Sequence, residues 1–334
     1  MKKFLLPENG NFYKANLHCH STISDGRMTP EEIKEVYKEK GYSIVAYTDH
    51  ELMIPHHELS DENFLAMTGY EVGVDKRINP GEPQTTCHIC FVALSPDIDK
   101  HPFYNKEKNN YAWGNAAKLA PLYAKYDENE PDFIKTYSAE CVSEMMRIGR
   151  EKNFFVTYNH PTWSIQNAYD YLPYKGMHAM EIFNNSCLVN GYEDYNPRVY
   201  DDFLRSGTRL YCIGADDNHG TIDACGCYIK IKADKLEYNT IGKALLDGNF
   251  YASNGPEIYD LFVEDDKVVV TCSPAAKVTM MTGYRKAGIV RPDGDTPLTR
   301  AEFTLNPNQV YFRLTVTDKN GNHACTNAYF IDEL

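Results

Sequence analysis

The chain has 334 residues, enough to bury a large core as one large domain or two ordinary ones. Lys and Arg number 34 against 47 Asp and Glu, a formal net charge of −13, and basic runs that would track a phosphate backbone are missing, which argues against long nucleic acid as a partner. No apolar run approaches membrane-spanning length, MKKFLLPENG is too short in apolar residues for a signal-peptide core, and the ten scattered cysteines read as reduced thiols, so the expectation is a cytoplasmic protein without a membrane partner.

The first informative stretch is NLHCHSTISDG, residues 16–26, with His18, His20 and Asp25. On an extended segment His18 and His20 point to the same side and Cys19 to the other. TPEEIKEVYKEKG follows as a helix: Thr29 and Glu32 form a capping box, Pro30 takes the first helical position, Gly41 ends it, and Ile33, Val36 and Tyr37 make the apolar stripe.

Strands are expected over 43–48, 64–70, 86–93, 154–158, 179–183 and 209–215. Their alternation with helical segments predicts parallel strands joined by crossover helices over residues 10–254. Residues 101–146, rich in Asn, Lys, Tyr and Glu, interrupt the alternation and read as a helical insertion, a candidate lid or substrate wall. Its Tyr104, Tyr111, Trp113, Tyr123 and Tyr126 could stack on a planar group or pack a miniature core of their own. After Gly255-Pro256 the texture changes to alternating runs separated by Asp-Asp, Pro and Asn-Gly turns, so 255–334 is expected to form a small antiparallel β-sandwich. No internal repeat and no low-complexity tract is present.

The remaining polar groups follow the strands. His50 comes after the first, Glu71 after the second, His88 lies within the third, His160 follows the fourth, and Asp217 and His219 follow the last. In a parallel α/β barrel the C-terminal ends of the strands form one rim, where residues distant in sequence converge. Six histidines and three carboxylates there cannot be buried together without compensation. Divalent metal supplies it, and an N/O donor set without thiolates suits zinc, manganese or iron. Nine ligands exceed one ion's needs, so two to three ions sharing Glu71 are expected. Any one histidine alone reads as a hydrogen-bonded core residue; the convergence favours metal. His56 and His57 follow Pro55 in an expected loop, and His101, His178 and His323 lack partners at ligand spacing, so all five read as groups outside the ligand set. Cys87 and Cys90 imitate a zinc pair, but on a strand their sulfurs point to opposite faces.

Taken in order, HCH, Asp25, TDH at 48–50, GYE at 69–71, His88, NHP at 159–161 and DNH at 217–219 resemble the PHP (polymerase and histidinol phosphatase) family over roughly residues 10–250. The insertion and the closing β region look like its carbaryl-hydrolase-like branch. The resemblance implies a distorted (β/α)7 barrel with three metals at one rim. His18, His20, Glu71 and Asp217 would hold one ion, Glu71, His88 and His160 a second, and Asp25, His50 and His219 a third. Family members commonly show Gly-Ser-Asp-x-His where this chain has GADDNH. Asp217 is preferred to Asp216 because Asp-x-His keeps both ligands on one face.

The function expected from such a centre is metal-dependent hydrolysis, foremost of a small phosphorylated substrate by a hydroxide bridging the metals. Glu71 and Asp217 act chiefly as ligands, and His219 or His50 is a candidate proton donor to the leaving group. Bound cations reconcile an acidic protein with an anionic small molecule. Lys14, Arg27, Arg198 and Arg209 are candidate substrate contacts, and Trp163 and Asn184 could line the pocket. A carbamate, ester or amide metallohydrolase using the same site is the alternative; a non-catalytic binding module with structural metals is the third reading.

Overall fold

A computed structural model describes residues 2–76 and 79–334. Helix α1 (Pro30–Glu39) forms as its sequence dictates: Thr29 accepts from the Glu32 backbone N–H at 3.2 Å, the Glu32 carboxylate accepts from the Thr29 N–H at 2.8 Å, and the chain leaves through Gly41 at φ +75°. Ile33 and Tyr37 are fully buried, with Val36 packed beside them. Among the described residues no helix is long and apolar enough to cross a membrane.

The strands are β1 (Lys2–Phe4), β2 (Asn11–Asn16), β3 (Ile44–Tyr47), β4 (Leu65–Asp75), β5 (Thr86–Ala93), β6 (Phe154–Tyr158), β7 (Ala179–Asn184), β8 (Tyr211–Ala215), β9 (Tyr228–Ala233) and β10 (Phe250–Ser253). The C-terminal region adds β11 (Ile258–Glu264), β12 (Lys267–Ala275), β13 (Lys277–Thr282), β14 (Gly288–Val290), β15 (Leu298–Thr304), β16 (Tyr311–Thr317) and β17 (His323–Thr326). One large sheet runs β14-β13-β16-β17-β10-β9-β2-β3-β4-β5-β6-β7-β8, and a second runs β1-β11-β12-β15. The molecule is thus a mixed α/β protein built on a many-stranded sheet.

Two features correct the expected (β/α)7 barrel. Strand β5 runs antiparallel to both β4 and β6, so the strands are not all parallel. Among the described residues no closed barrel forms either: β8 ends the run while β2 lies inside it between β9 and β3, and the segments that follow β2 and β8 meet only at an isolated bridge between Cys19 and Asn218. The large sheet also continues across residue 254, because β10 pairs with β17 (Ala252 opposite Cys325). The second sheet recruits the N-terminal β1. Its core with β13 and β16 includes Leu6 and Tyr251 beside Val268, Val270, Val278 and Leu314. Burial alternates along β13 and β15, each burying one face between the two sheets, while β16 is buried throughout.

The expected insertion is helical only in part. It contains α2 (Gly114–Tyr123) within irregular chain, and Met146 already belongs to α3 (Ala139–Glu151). The apolar face of α3, Val142, Met145 and Met146, packs in the main core, so this helix supports the sheet. Cys87 also lies in that core, while Cys90 Sγ lies 3.1 Å from the donating Asn159 Nδ2, on the opposite face as the alternation requires. All ten cysteines are free.

His101 is buried beneath the start of the insertion, where its Nε2 accepts from the Met53 N–H at 3.2 Å and its ring meets Tyr70 edge-on at 4.7 Å. Burial holds its imidazole down to about 3. The unfolded chain therefore takes up a proton that the folded chain refuses below the ordinary histidine value, and stability is lost as pH falls from about 6.5 toward 3. Between pH 7 and 4.5 this one group should cost about 2–3 kcal/mol. His101→Gln keeps an acceptor for Met53 and removes the titration. Urea melts at the two pH values should show a smaller acid loss in the variant; equal losses would refute the account.

Candidate metal centre

The centre is built where β2 and β8 end. Asn16, the last residue of β2, accepts from the Asp216 N–H at 2.9 Å and donates to the His18 carbonyl at 2.9 Å. Beyond it the two segments form a short ladder, Asp217 N–H to His18 carbonyl at 2.9 Å and His20 N–H to Asn218 carbonyl at 3.1 Å. The loop carrying Asp25 is held by the buried Asp49, whose carboxylate accepts from the backbone N–H and hydroxyl of both Ser21 and Ser24 at 2.6–3.1 Å. Gly26 closes the loop. A Cβ there would sit 2.4 Å from the His20 carbonyl oxygen, which explains the Asp-Gly step.

At the middle of the site is Glu71, wholly buried within β4. Its Oε1 lies 3.1 Å from His18 Nε2, 3.1 Å from His88 Nδ1 and 3.3 Å from His160 Nε2; its Oε2 lies 3.1 Å from His50 Nδ1 and 3.4 Å from His20 Nε2. Asp217 Oδ1 stands 3.2 Å from His18 Nε2 and 3.0 Å from His20 Nε2. On the outer side Asp25 Oδ2 is 3.3 Å from His219 Nε2 and 3.7 Å from His50 Nε2. All nine residues singled out in the sequence converge. His88 arrives near the beginning of β5 because that strand is antiparallel, and Glu71 projects from the interior of an extended β4.

The carboxylates and imidazoles of the centre shift one another's protonation. Burial alone would raise the Glu71 carboxyl, but the facing His18 and His88 hold it well below the usual carboxylate range. Asp217 is lowered in the same way, burial opposed by His18 and His20. Burial pulls down His20 and His160, yet Asp217 and Glu71 bring them up to about 10 and about 9. His18 is likewise raised, whereas His50 is lowered by burial and by the neighbouring His20.

Divalent metal fits this donor set. His18 Nε2 and His20 Nε2 are 3.1 Å apart, too close for an N–H on each. Three imidazole nitrogens and the Asn159 amide crowd Glu71 Oε1, although a carboxylate oxygen has only two lone pairs. Glu71 Oε2 and His20 Nδ1 are buried without a hydrogen bond of acceptable geometry. Lone pairs turned toward shared cations remove all three conflicts. Groups compact enough to hold an ion are His18, His20, Glu71 and Asp217; His20, Asp25, His50 and His219; and His50, Glu71 and His88.

A further compact group, His18, His160 and Glu181, contains a residue that the sequence reading missed. Glu181 accepts from His18 Nδ1 at 2.7 Å, from the His160 backbone N–H at 3.0 Å and from Asn184 Nδ2 at 3.0 Å. It fixes the His18 tautomer and turns Nε2 inward, the role a carboxylate plays behind a metal-bound histidine. A glutamate inside the apolar strand AMEIFN was the available signal. Asn184 also donates to Asp217 Oδ2 at 3.1 Å, so it holds a carboxylate in place.

Asp216 and Asp217 have different surroundings. Asp216 accepts from the Tyr37 hydroxyl and from the Cys225, Gly226 and Cys227 N–H groups at 2.8–2.9 Å, which occupies its carboxylate fully. Asp217 faces the histidines, although not by strand alternation. β8 has ended at Ala215, and Asp217 adopts a left-handed φ of +52°.

Above the polar floor lies a cavity of 1540 Å³. Of the four cations proposed as substrate contacts, Arg27 lines it. The other three are engaged elsewhere: Lys14 sits over the Tyr42 and Tyr228 rings, Arg198 pairs with Asp202 on α6 (Pro197–Arg205), here numbered after the short helices α4 (Ala168–Tyr171) and α5 (Asn185–Val189), and Arg209 pairs with Asp332 and Glu333. Sequence position alone could not show this, because a cation's partner is often remote in the chain. Lys135 is the wall cation that the sequence reading passed over. Its Nζ lies 2.6 Å from Glu51 Oε1 and 2.9 Å from the Gly73 carbonyl. The insertion's aromatics divide: Tyr111 and Trp113 line the cavity, Tyr104 and Tyr126 stack on each other at 4.2 Å, and Tyr123 is exposed. Trp163 lines the cavity as well.

No protein-family model and no curated protein matches the sequence. Among solved structures, the chain is similar to a two-domain protein from Bacteroides vulgatus described as containing a predicted PHP-like metal-dependent phosphoesterase, with 14% identity and a TM-score of 0.44 over 98% of each chain. It is also similar to a lesion-specific endonuclease from Pyrococcus furiosus, with 14% identity and a TM-score of 0.41 over 71% of this chain and 56% of that one. An amidohydrolase from Chromobacterium violaceum with bound sulfate is similar at 15% identity and a TM-score of 0.39, over 62% of this chain and 87% of that one.

Proposed function

We propose that this protein is a metal-dependent phosphoesterase acting on a small phosphorylated substrate. The observation that carries the reading is the Glu71 carboxylate with five imidazoles within 3.4 Å of it, the surroundings of a ligand shared between cations. His18, His20, Glu71 and Asp217 would hold one ion, Glu71, His88 and His160 a second, and Asp25, His50 and His219 a third, as the PHP-like order of motifs suggests. Divalent ions so held supply Lewis acidity and make water a competent nucleophile near neutral pH.

The chain's own residues have separate tasks. Glu181 and Asn184 hold His18 and Asp217 in register, which keeps the donors fixed before substrate arrives. Arg27 supplies positive charge in the wall for the anionic end of the substrate, whereas Lys135 is committed to Glu51 and holds the wall in place. The 101–138 segment limits the size of what enters, through Tyr111 and Trp113. Residues 10–254 carry every proposed ligand, and strands of 255–334 extend the same sheet.

The aromatic wall also favours a second reading, hydrolysis of carbamates, esters or amides, which accords with the carbaryl-hydrolase-like resemblance. One panel separates the two. Phosphomonoesters, phosphodiesters and aryl carbamates are offered to the full chain loaded in turn with manganese, zinc and iron. Turnover of phosphoesters above carbamates is expected; carbamate turnover without phosphoester turnover under every metal would replace the first reading by the second.

A further inference from the structure

The chain has two tryptophans, Trp113 and Trp163, and both line the cavity. They come from unrelated segments. Trp113 precedes α2, is 51% exposed, and its ring centroid lies 5.2 Å from that of His50. Trp163 follows His160, is 36% exposed, and lies 4.9 Å from the His160 ring and 5.4 Å from that of His88. Indole is the largest apolar surface a side chain offers, and leaving two partly uncovered beside a polar floor forgoes burial that a ligand can restore.

The wall that carries Trp113 is pinned. Lys135 binds the Glu51 carboxylate and lies 4.7 Å above the ring of Tyr111, and Asn110 Nδ2 donates to the Glu51 carbonyl at 3.0 Å. An aromatic surface already held in place loses little freedom when a flat group settles on it.

We propose that the substrate carries a planar aromatic group that stacks on this tryptophan-lined wall while its anionic end faces the histidine–carboxylate floor. The inference rests on the phosphoesterase reading only for the chemistry of that anionic end. Benzylphosphonate and cyclohexylmethylphosphonate test it, since they match in size and charge and differ in planarity and aromaticity. Neither is hydrolysed, and because both indoles face the cavity, the protein's own fluorescence reports binding without reference to activity.

With the zinc-loaded full chain the aromatic phosphonate should bind about tenfold more tightly, the scale of a stacking contact. Trp113→Ala or Trp163→Ala should reduce that ratio to within about twofold, read from the remaining indole; Trp→Leu at the same position serves where the alanine variant fails to fold. Loss of the ratio at either position supports the proposal. Equal binding of the two phosphonates by wild type overturns it and leaves the phosphoesterase reading standing, as does a ratio unchanged in both variants. Should neither phosphonate bind, the phosphoesterase reading fails instead. Benzyl and cyclohexylmethyl N-methylcarbamate then decide the aromatic proposal by the same ratio.

Discussion

Glu71→Gln should strip the protein of more than one metal ion and lower turnover on the order of 1,000-fold or more, because several kcal/mol of charge stabilisation at the reacting centre depend on a carboxylate there. The substitution conserves size. It replaces an anion that faces His18, His88, His160, His50 and His20 with a neutral amide whose NH2 points at nitrogens already poor in acceptors. Metal analysis after gel filtration checks the stoichiometry, and thermal melts of metal-free wild type and variant check that the fold is kept. Carefully loaded wild-type protein containing one ion or none would remove the shared-ligand assignment.

The second large effect is a contrast between adjacent aspartates. Asp216→Asn should cost about 1–3 kcal/mol of stability, because an amide cannot accept from four donors and leaves a backbone N–H such as that of the buried Cys227 unpaired. Its metal content should stay near wild type. Asp217→Asn should differ in metal content: loss of metal and of most turnover, since its carboxylate faces His18 and His20. Swapped outcomes would exchange the roles of the two residues.

Asp216 also carries a pH signature. Burial raises its carboxyl to about 6 against the backbone donors that lower it. The folded state therefore binds the proton more tightly than the unfolded chain, and this group favours folding below pH 4 and loses that contribution as pH rises through about 6. The sign is opposite to that of His101, so Asp216→Asn and His101→Gln should tilt the stability profile in opposite directions.

Local chemistry made much of the molecule legible from sequence. The α1 capping box, the end at Gly41 and the strands 86–93 and 154–158 depend on hydrogen bonds and packing faces set within a few residues. The nine polar groups stood out because histidines and carboxylates at strand ends have few reasons to be buried except together. What the sequence by itself determined was therefore the inventory: which segments extend, which coil, and which side chains converge.

Tertiary structure decided everything that depends on a distant partner. Reversal of β5 brought His88 to the rim from the start of its strand, and pairing of β10 with β17 joined the C-terminal strands to the main sheet. Glu181 could not be told from an ordinary strand residue until His18 and the His160 backbone closed on it. Lys14, Arg198 and Arg209 were spent on aromatic faces or surface carboxylates, while Lys135 reached the cavity wall. Ionic and hydrogen-bonding partners are chosen by proximity in space, and proximity across more than a hundred residues is a property of the packed sheet.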